Sequence, residues 1–302
     1  MSLPAIHALR RAFPEARMTL LMDERWIPLI KRDRGFHEFL PWNPEEERGW
    51  GSWIRWAMRL KQKGFDCAVI MNPNRFFHWA TFLAGIPTRV GYRRKCGFLL
   101  SHGITDTKAL RGLHETIYNF ELVQQLGAKG ETSPLTLPLS PEGETRAREL
   151  LADSGVSPTC RPIALHPWTS NPAKSWPLDS FRTLAVQLKS LGETVMAIGE
   201  PGGNLVDSQG FFAGCGVVDL IGKIPLEILP ETLHLCAALV SNDSGPVHVA
   251  AAVGTPTLIV APAQHAQQLS RWRPLGERHA TLLSPMPEEV VQTLRGRFPC
   301  GS

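Results

Sequence analysis

The chain has 302 residues, of which 43% are hydrophobic and 20% charged, a globular composition that excludes a largely disordered protein. The formal net charge of +4 is too small to indicate a nucleic-acid partner, although it is compatible with an anionic small molecule or a lipid head group. No apolar run approaches the roughly 20 residues that span a bilayer, and no segment has the form of a signal peptide, so any membrane role is expected to be peripheral.

Helical and strand patterns alternate through the first half of the chain. The predicted elements are a helix over 3–13, a strand over 17–23, a helix over 50–65, a strand over 66–72, a helix over 76–85, a strand over 88–92 and a helix over 114–127. Three prolines then fall within 131–144, which predicts a domain junction there. We therefore expect one domain over 1–140 and a second over 141–302.

The alternation restarts after the junction. The predicted elements are strands over 161–167, 194–200, 239–242 and 255–262 and helices over 178–192, 225–238, 246–254 and 287–298. Strands that alternate with helices form a parallel sheet covered on both faces, so each half is predicted to be a doubly wound α/β domain. Ligands of such domains bind at the carboxyl ends of the strands, which here would face a cleft between the domains.

The stretch "SNDSGPVHVAAAVGTPTLIV" (241–260) places polar residues where a predicted strand ends and a helix begins. Pro246 suits the first turn of a helix, because it has no N–H to leave unpaired. Gly245 would let a phosphate approach the backbone, and the free N–H groups of the helix end attract anions. Two interpretations remain open: Asp243 and Ser244 only cap the helix and His248 is a packed histidine, or the segment binds an anionic ligand.

The stretch "IALHPWTSNPAKSWP" (163–177) is a second polar strand end. His166, Thr169, Ser170 and Lys174 follow the strand predicted over 161–167, and hydroxyls with a lysine suit a diphosphate. Taken alone, this pattern is weak, because many loops hold the same residue types.

Several other chemistries are disfavoured by the sequence. No GxGxxG follows the first strand of either half, and the stretch 216–224 does not have P-loop spacing. No DxD pair is present to hold a metal-bound diphosphate, and the six cysteines have neither CxxC nor zinc spacing. We therefore expect reduced thiols, no metal and no nicotinamide cofactor.

The chain is similar to a known family. The stretches "HPWTSNPAKSWP" (166–177), "SNDSGPVHVAAAVGTPTLIVAP" (241–262) and "WRPLG" (272–276), in this order, resemble glycosyltransferase family nine, the ADP-heptose:lipopolysaccharide heptosyltransferases. The first half resembles the acceptor domain of that family in 3–24 ("LPAIHALRRAFPEARMTLLMDE"), "GIPTRVGY" (85–92) and "HETIYNFELVQQLG" (114–127). The resemblance covers nearly the whole chain and implies a GT-B architecture, two Rossmann-like domains with the nucleotide sugar in the C-terminal one, and no metal.

The resemblance also implies site residues. The donor-binding residues that it implies are Thr169, Ser170, Lys174, Ile224, Asp243, Ser244, Gly245 and His248. The first three would hold the donor phosphates, the backbone around the isoleucine would contact the adenine, and the last four would hold the phosphates and the heptose. With the order and spacing included, binding is favoured over capping alone.

Two departures from the family pattern bear on activity. The acidic residue that bonds the adenosine ribose in the family has no match, since Glu200 lies early and Gly203 or Asn204 takes its place. The family also begins with an apolar strand and a Gly-Asp loop that carries the proposed general base, and Met1 of this chain already lies inside the following helix. We expect from this either a natural start upstream of Met1 or a decayed protein, and the catalytic residue stays unassigned.

No other carboxylate is an obvious substitute for the missing base. Asp23 and Glu24 end the predicted strand over 17–23 and are the alternatives considered, although a solvated loop end is the simpler interpretation.

The acceptor side has two candidate features. Arg93, Arg94 and Lys95 form a basic cluster with Arg89 that would suit an anionic lipopolysaccharide inner core, or would be an ordinary solvated loop. The tryptophan group is formed by Trp42, Trp50, Trp53 and Trp56. It would rest at a membrane interface or, as the favoured alternative, pack in the core.

The predicted function is therefore heptose transfer from ADP-heptose to the lipopolysaccharide inner core, with inversion and without a metal. The expected partners are the nucleotide sugar and the lipopolysaccharide core, with no nucleic acid. The expected location is cytoplasmic, with the inner membrane as a peripheral contact. The alternatives are a catalytically impaired nucleotide-sugar-binding remnant and another GT-B enzyme, either with a different nucleotide-sugar donor or a nucleotide-sugar 2-epimerase.

Overall fold

The computed structural model describes residues 1–47, 49–130, 133–169, 171–200 and 210–298. The chain divides into two compact units. Unit 1 comprises Met1–Ile27 and Asp33–Pro134, and unit 2 comprises Pro28–Arg32 and Leu135–Ser302. Unit 2 resumes at Leu135 rather than at the predicted residue 141, and the sequence pattern did not predict the short segment Pro28–Arg32.

The elements of the first half lie mostly in unit 1. In chain order they are α1 (Leu3–Ala12), β1 (Thr19–Asp23), α2 (Ile27–Ile30), β2 (Glu38–Trp42), α3 (Trp50–Lys63), β3 (Cys67–Ile70), α4 (Arg75–Leu83), β4 (Thr88–Tyr92), β5 (His102–Ile104), α5 (Lys108–Arg111) and α6 (Glu115–Gln124). Every helix and strand predicted in this half is present, while α2, β2, β5 and α5 were missed. A proline inside β2 explains one omission, because Pro41 weakens a strand pattern and is tolerated mainly at sheet edges.

Unit 1 departs from a single doubly wound sheet. β1 pairs in parallel with β2, and β3, β4 and β5 form a separate parallel sheet in that order. Within the described part of unit 1, no strand joins the two sheets. Side chains from both sheets nevertheless share one core with α3 and α4, in which Leu21 and Leu40 of one sheet and Ala68 of the other pack with Trp56 and Phe76. The common apolar layer, rather than a continuous hydrogen-bond ladder, therefore holds these sheets together.

The elements of the second half follow in unit 2. They are α7 (Pro141–Asp153), β6 (Ile163–His166), α8 (Leu178–Ser190), β7 (Val195–Ala197), β8 (Val218–Asp219), α9 (Leu229–His234), β9 (Ala238–Ser241), α10 (Gly245–Ala252), β10 (Thr257–Ala261), α11 (Ala266–Trp272), β11 (His279–Leu283) and α12 (Pro287–Arg297). All strands and helices predicted in this half are present. The sequence missed α7, β8, α11 and β11.

The sheet of unit 2 has six parallel strands in the order β11-β10-β9-β6-β7-β8. One apolar cluster, including Phe181 and Leu294, covers one face through α8 and α12, and a second, including Leu233 and Val247, covers the other. The chain runs outward from β6 to β8 and then returns to β9 on the other side of β6. This reversal makes the carboxyl ends of β6 and β9 the switch point at which such sheets bind ligands.

The tryptophan group separates into buried and exposed members. Trp56 is 1% exposed and Trp42 stacks on Phe76, so the prediction of core packing is confirmed for these two residues. Trp50 is 63% exposed, so core packing is wrong for it.

Candidate functional site

Three neighbouring strand ends of unit 2 bring polar side chains together. Asp243 follows β9, Lys174 lies in a short 3₁₀ turn after β6, and His265 lies in another after β10. The Asp243 Oδ2 atom accepts from Lys174 Nζ at 3.1 Å and lies 2.9 Å from His265 Nε2. The carboxylate and the imidazole are buried, whereas the lysine is 27% exposed at its side chain. One carboxylate thus holds two nitrogen groups at the switch point, with the lysine facing outward.

The charge state of Asp243 follows from its neighbours. Burial by itself would raise the pKa of the Asp243 carboxyl, but hydrogen bonds from His265 and Lys174 outweigh it, so the pKa lies below its ordinary value. The carboxylate is therefore ionised at neutral pH. It balances the charge of Lys174 until an anionic ligand offers that ammonium a competing acceptor.

A second polar network lies beside the first. The Ser244 Oγ atom lies 3.1 Å from His166 Nδ1 and 2.9 Å from Ser241 Oγ. Burial lowers the pKa of His166 to about 4, so the imidazole is neutral near pH 7. A neutral ring nitrogen can hold a serine hydroxyl in one orientation without adding charge to the site.

The N-terminus of α10 is left without a side-chain cap. Ser244 occupies the N-cap position, but its side chain makes no capping hydrogen bond and turns instead to His166. The capping-only interpretation is therefore wrong for Ser244, and Asp243 is directed to Lys174 and His265. A Cβ added to Gly245 would meet nothing within 4 Å. The first turn of α10 consequently presents backbone N–H groups beside open space, which is the arrangement that anions use.

Asn242 fixes the two strand-end loops relative to each other. Its side chain is completely buried, its Oδ1 accepts from Trp176 N at 2.9 Å, and its Nδ2 donates to Pro167 O. The loop that carries Lys174 is therefore pinned at both ends to the residue that precedes Asp243. The sequence contained this asparagine in the quoted motif but did not indicate its role.

The remaining predicted donor residues occupy the same edge of the sheet. Thr169 is half-buried in the loop after β6, and His248 is half-buried one turn into α10. Ile224 follows β8 and packs against the core, next to Gly222, whose N–H donates to Gly199 O after β7. Ser170, together with Gly203 and Asn204, lies outside the described residues. Donor contact by these residues stays a prediction.

His265 is the residue that sequence reasoning missed. It lies just beyond β10, at the same sheet edge as the two polar loops that were recognised. The available signal was a histidine directly after an apolar strand, in "IVAPAQH" (259–265). Its partner Asp243 is distant in the sequence, so only the strand order reveals the contact.

We expect His166 to make stability pH-dependent. Its pKa of about 4 in the fold lies below its ordinary 6.5, so between these values the unfolded chain binds more protons and stability falls as pH falls. The unfolding free energy of unit 2, measured by urea titration, should drop by about 2.5 kcal/mol between pH 7 and pH 4.5 through this group. The His166→Asn variant should lose that part of the pH dependence. Identical pH profiles for the two proteins would contradict this assignment.

The predicted basic cluster lies after β4 in unit 1. Arg93, Arg94 and Lys95 are all exposed. The Arg94 Nε atom is 3.2 Å from Asp106 Oδ2, so this cation is partly compensated. The Arg93 side chain packs over Gly103, where an added Cβ would lie 2.7 Å from its Cγ. The cluster is thus available to solvent, and its contact with an acceptor stays a prediction.

The substitute base considered in unit 1 is already engaged. The Asp23 carboxylate accepts from the Arg25 guanidinium, with Nη2 to Oδ2 at 2.6 Å, and these hydrogen bonds lower the pKa of Asp23. A carboxylate with a lowered pKa is a weaker proton acceptor, so Asp23 is poorly suited to the role of base.

Among the described residues no cluster of three metal-ligating side chains occurs.

Comparisons with known proteins identify the family of this chain. The model of glycosyltransferase family 9 (heptosyltransferase) matches residues 53–293. Lipopolysaccharide heptosyltransferase 2 of Salmonella typhimurium is 27% identical over 268 residues, which is 85% of this chain and 77% of that protein. The protein of the same name from Escherichia coli is 26% identical over 270 residues, with the same coverage.

Solved structures show the same fold. The glycosyl transferase family 9 protein of Veillonella parvula has a TM-score of 0.86 at 19% identity, covering 98% of this chain and 92% of that one. The Escherichia coli ADP-heptose lps heptosyltransferase II has a TM-score of 0.81 at 21% identity, covering 98% of this chain and 94% of that one.

None of the helices in the described part of this chain has the length and apolar character that a membrane span requires.

These neighbours have the GT-B architecture, which confirms the predicted fold class. The match to the family model makes this protein a glycosyltransferase. Because the family model matches well over half of its length, the chain belongs to glycosyltransferase family 9, the heptosyltransferase family.

Proposed function

We propose that this chain transfers heptose from ADP-heptose to the inner core of lipopolysaccharide, with inversion at the anomeric carbon and without a metal ion. The observation that carries the proposal is the pairing of Lys174 with Asp243 and His265 beside the uncapped N-terminus of α10. A diphosphate needs concentrated positive charge, and an ammonium group next to a helix N-terminus supplies it without a divalent cation.

The roles of the donor residues follow from their positions. The diphosphate would lie against Gly245, whose open side allows close backbone approach, and would accept from Lys174. Asp243 would accept from a sugar hydroxyl or keep the lysine oriented, since a carboxylate repels phosphate oxygens. Ser244, held by His166, and His248 would contact the phosphates and the heptose. The backbone around Ile224 would pack against the adenine.

The acceptor would bind through Arg93, Arg94 and Lys95, whose charge complements an anionic inner core. Because lipopolysaccharide is a lipid, we expect the chain to work in contact with a membrane surface. A single displacement by the acceptor hydroxyl gives inversion, and the group that removes the hydroxyl proton stays unassigned.

The test combines binding with turnover. Calorimetric titration should show binding of ADP and much weaker binding of UDP and NAD. The chain with ADP-heptose and heptose-deficient lipopolysaccharide should give a heptosylated product by mass spectrometry, with inverted configuration by NMR and unchanged yield in EDTA. Preference for UDP would reassign the donor, and loss of activity in EDTA would overturn metal independence.

A non-catalytic nucleotide-sugar-binding protein is the second candidate. The observation that favours it is the engagement of Asp23 with Arg25, which makes one of the two carboxylates considered as a substitute base a weaker proton acceptor. Selective ADP binding without any heptosylated product would support this candidate against the first.

Gly245→Ala should separate ligand binding from folding. The φ angle of Gly245 is not in the left-handed region and an added methyl meets no protein atom, so the melting temperature should stay unchanged or rise slightly. The methyl would occupy the space proposed for the diphosphate, so ADP affinity should fall roughly tenfold or more. Equal ADP affinity in the variant and the original chain would place the diphosphate elsewhere.

A further inference from the structure

An exposed apolar stripe runs along α3 in unit 1. Trp50, Ile54 and Met58 follow one another at intervals of four residues and therefore share one side of the helix. Their exposures are 63%, 50% and 55%, although the opposite side of the same helix is buried through Trp56 and Leu60. A helix that already buries one apolar side has no need of a second for its own folding.

The stripe continues into a group of aromatic rings. The Trp50 ring centroid lies 4.8 Å from that of Trp53 and 5.7 Å from that of Trp79 on α4. Trp79 in turn lies 6.1 Å from Phe82 and 6.4 Å from Phe98. Phe98 is 77% exposed, in the segment that follows β4. Contiguous apolar surface of this kind on a folded chain usually marks an interaction site.

The three segments that carry these rings are basic, while the acidic run Glu45–Glu47 precedes α3. In α3, in α4 and in the segment 93–99, every charged residue is arginine or lysine. A surface cavity of about 400 Å³ is lined by Trp53, Asn74, Arg75, Phe76 and Lys95, so two of the cations lie next to the ring group. Both are exposed, and no carboxylate of the described residues pairs with either of them.

We propose that this surface, the aromatic–basic face formed by α3, α4 and 93–99, docks on a bilayer that contains anionic lipids. Tryptophan and phenylalanine partition to the depth of the head groups, while arginine and lysine remain at the phosphates. The cavity beside Arg75 and Lys95 would receive one lipid phosphate.

A second copy of the chain is a poorer occupant of the aromatic–basic face. A twofold contact places the same surface on both sides, so the cations of α3, α4 and 93–99 would oppose one another with no acidic residue in these segments to pair with them. A bilayer with negative head groups supplies the missing charge. The proposal therefore commits to lipid and treats self-association as a competing outcome.

The test is cosedimentation of the full chain with vesicles, without nucleotide or acceptor sugar. We expect binding to vesicles of phosphatidylethanolamine and phosphatidylglycerol, and much weaker binding to phosphatidylcholine alone. Trp50→Ser with Phe98→Ser should lower the partition coefficient about tenfold or more in any salt. Arg75→Gln with Lys95→Gln should lower binding to the anionic vesicles about tenfold and abolish most of its dependence on salt.

Two matched variants serve as controls. Met286→Ser and Leu275→Ser remove apolar side chains of unit 2 that are 64% and 57% exposed, and they should leave vesicle binding unchanged. Circular dichroism would verify that each variant is folded. Binding that is absent, or that survives both pairs of substitutions, would overturn the proposal. A dimer seen by analytical ultracentrifugation that Trp50→Ser with Phe98→Ser dissolves, without vesicle binding, would overturn it in favour of self-association. Because no donor is present, the outcome is independent of the transfer assay.

Discussion

Replacing Lys174 with methionine is expected to weaken ADP binding by roughly 10- to 100-fold. The Nζ atom is held 3.1 Å from Asp243 Oδ2 and its side chain is partly exposed, so it can exchange this acceptor for a diphosphate oxygen. A charge-assisted hydrogen bond of about 1.5–3 kcal/mol corresponds to that range of affinity. Isothermal calorimetry on the folded variant provides the measurement.

The control for this substitution is Lys189→Met. Lys189 is exposed in the last turn of α8, whereas Lys174 precedes that helix, so the control removes the same charge far from the candidate site. ADP affinity should be preserved in the control. Unchanged affinity in Lys174→Met would show that the lysine only neutralises Asp243 and would withdraw its role in the donor site.

Replacing Glu231 with alanine is expected to destabilise unit 2 by about 2–3 kcal/mol. The Glu231 carboxylate is completely buried, and its Oε1 atom accepts from Arg32 Nη1 at 2.5 Å and from Ser140 N at 3.0 Å. The alanine leaves the Arg32 guanidinium, which is 26% exposed, and the half-buried Ser140 N–H without this acceptor. Urea unfolding, with hydrogen exchange of β6 and β9 to locate the transition, would measure the effect.

Glu227→Ala is the matched control for that prediction. The Glu227 carboxylate pairs with Arg146 at 3.3 Å, but both side chains are substantially exposed. Exposed ion pairs contribute about 0–1 kcal/mol, so the control should change the unfolding midpoint little. Similar losses of unfolding free energy in the two variants would show that burial does not increase the contribution of Glu231 to stability.

The sequence predicted the elements around the candidate site well because their local signals agree with one another. Pro246 stands in the first turn of α10, Gly254 follows its end with a positive φ, and apolar strands precede and follow it. The omission of α7 shows how the same signal can be misjudged. Pro141 stands in the first turn and the Ser140 side chain caps Gly143 N, yet the neighbouring prolines favoured a junction without a helix.

Contacts between distant residues could not be predicted from periodicity. The bond between His265 and Asp243 depends on β10 lying next to β9, and the turn of Ser244 toward His166 depends on β6 lying on the other side. The exposure of individual side chains could not be predicted from periodicity either. Trp50 and Trp56 lie on the same helix and have similar neighbours in the sequence. Only the packing of α3 against other elements makes one exposed and the other buried.

The divided sheet of unit 1 has a consequence for how the protein responds to heat. β1 and β3 each pair along one edge only within the described part of the unit, and all five residues of β1 are only half-buried, whereas β6 is buried throughout. Amides on those edges should exchange with solvent early, since local opening there breaks few contacts. Nucleotide, by mass action, would stabilise unit 2 further. Mild heating should therefore unfold unit 1 first, so that the proposed heptose transfer is lost while the proposed ADP binding persists.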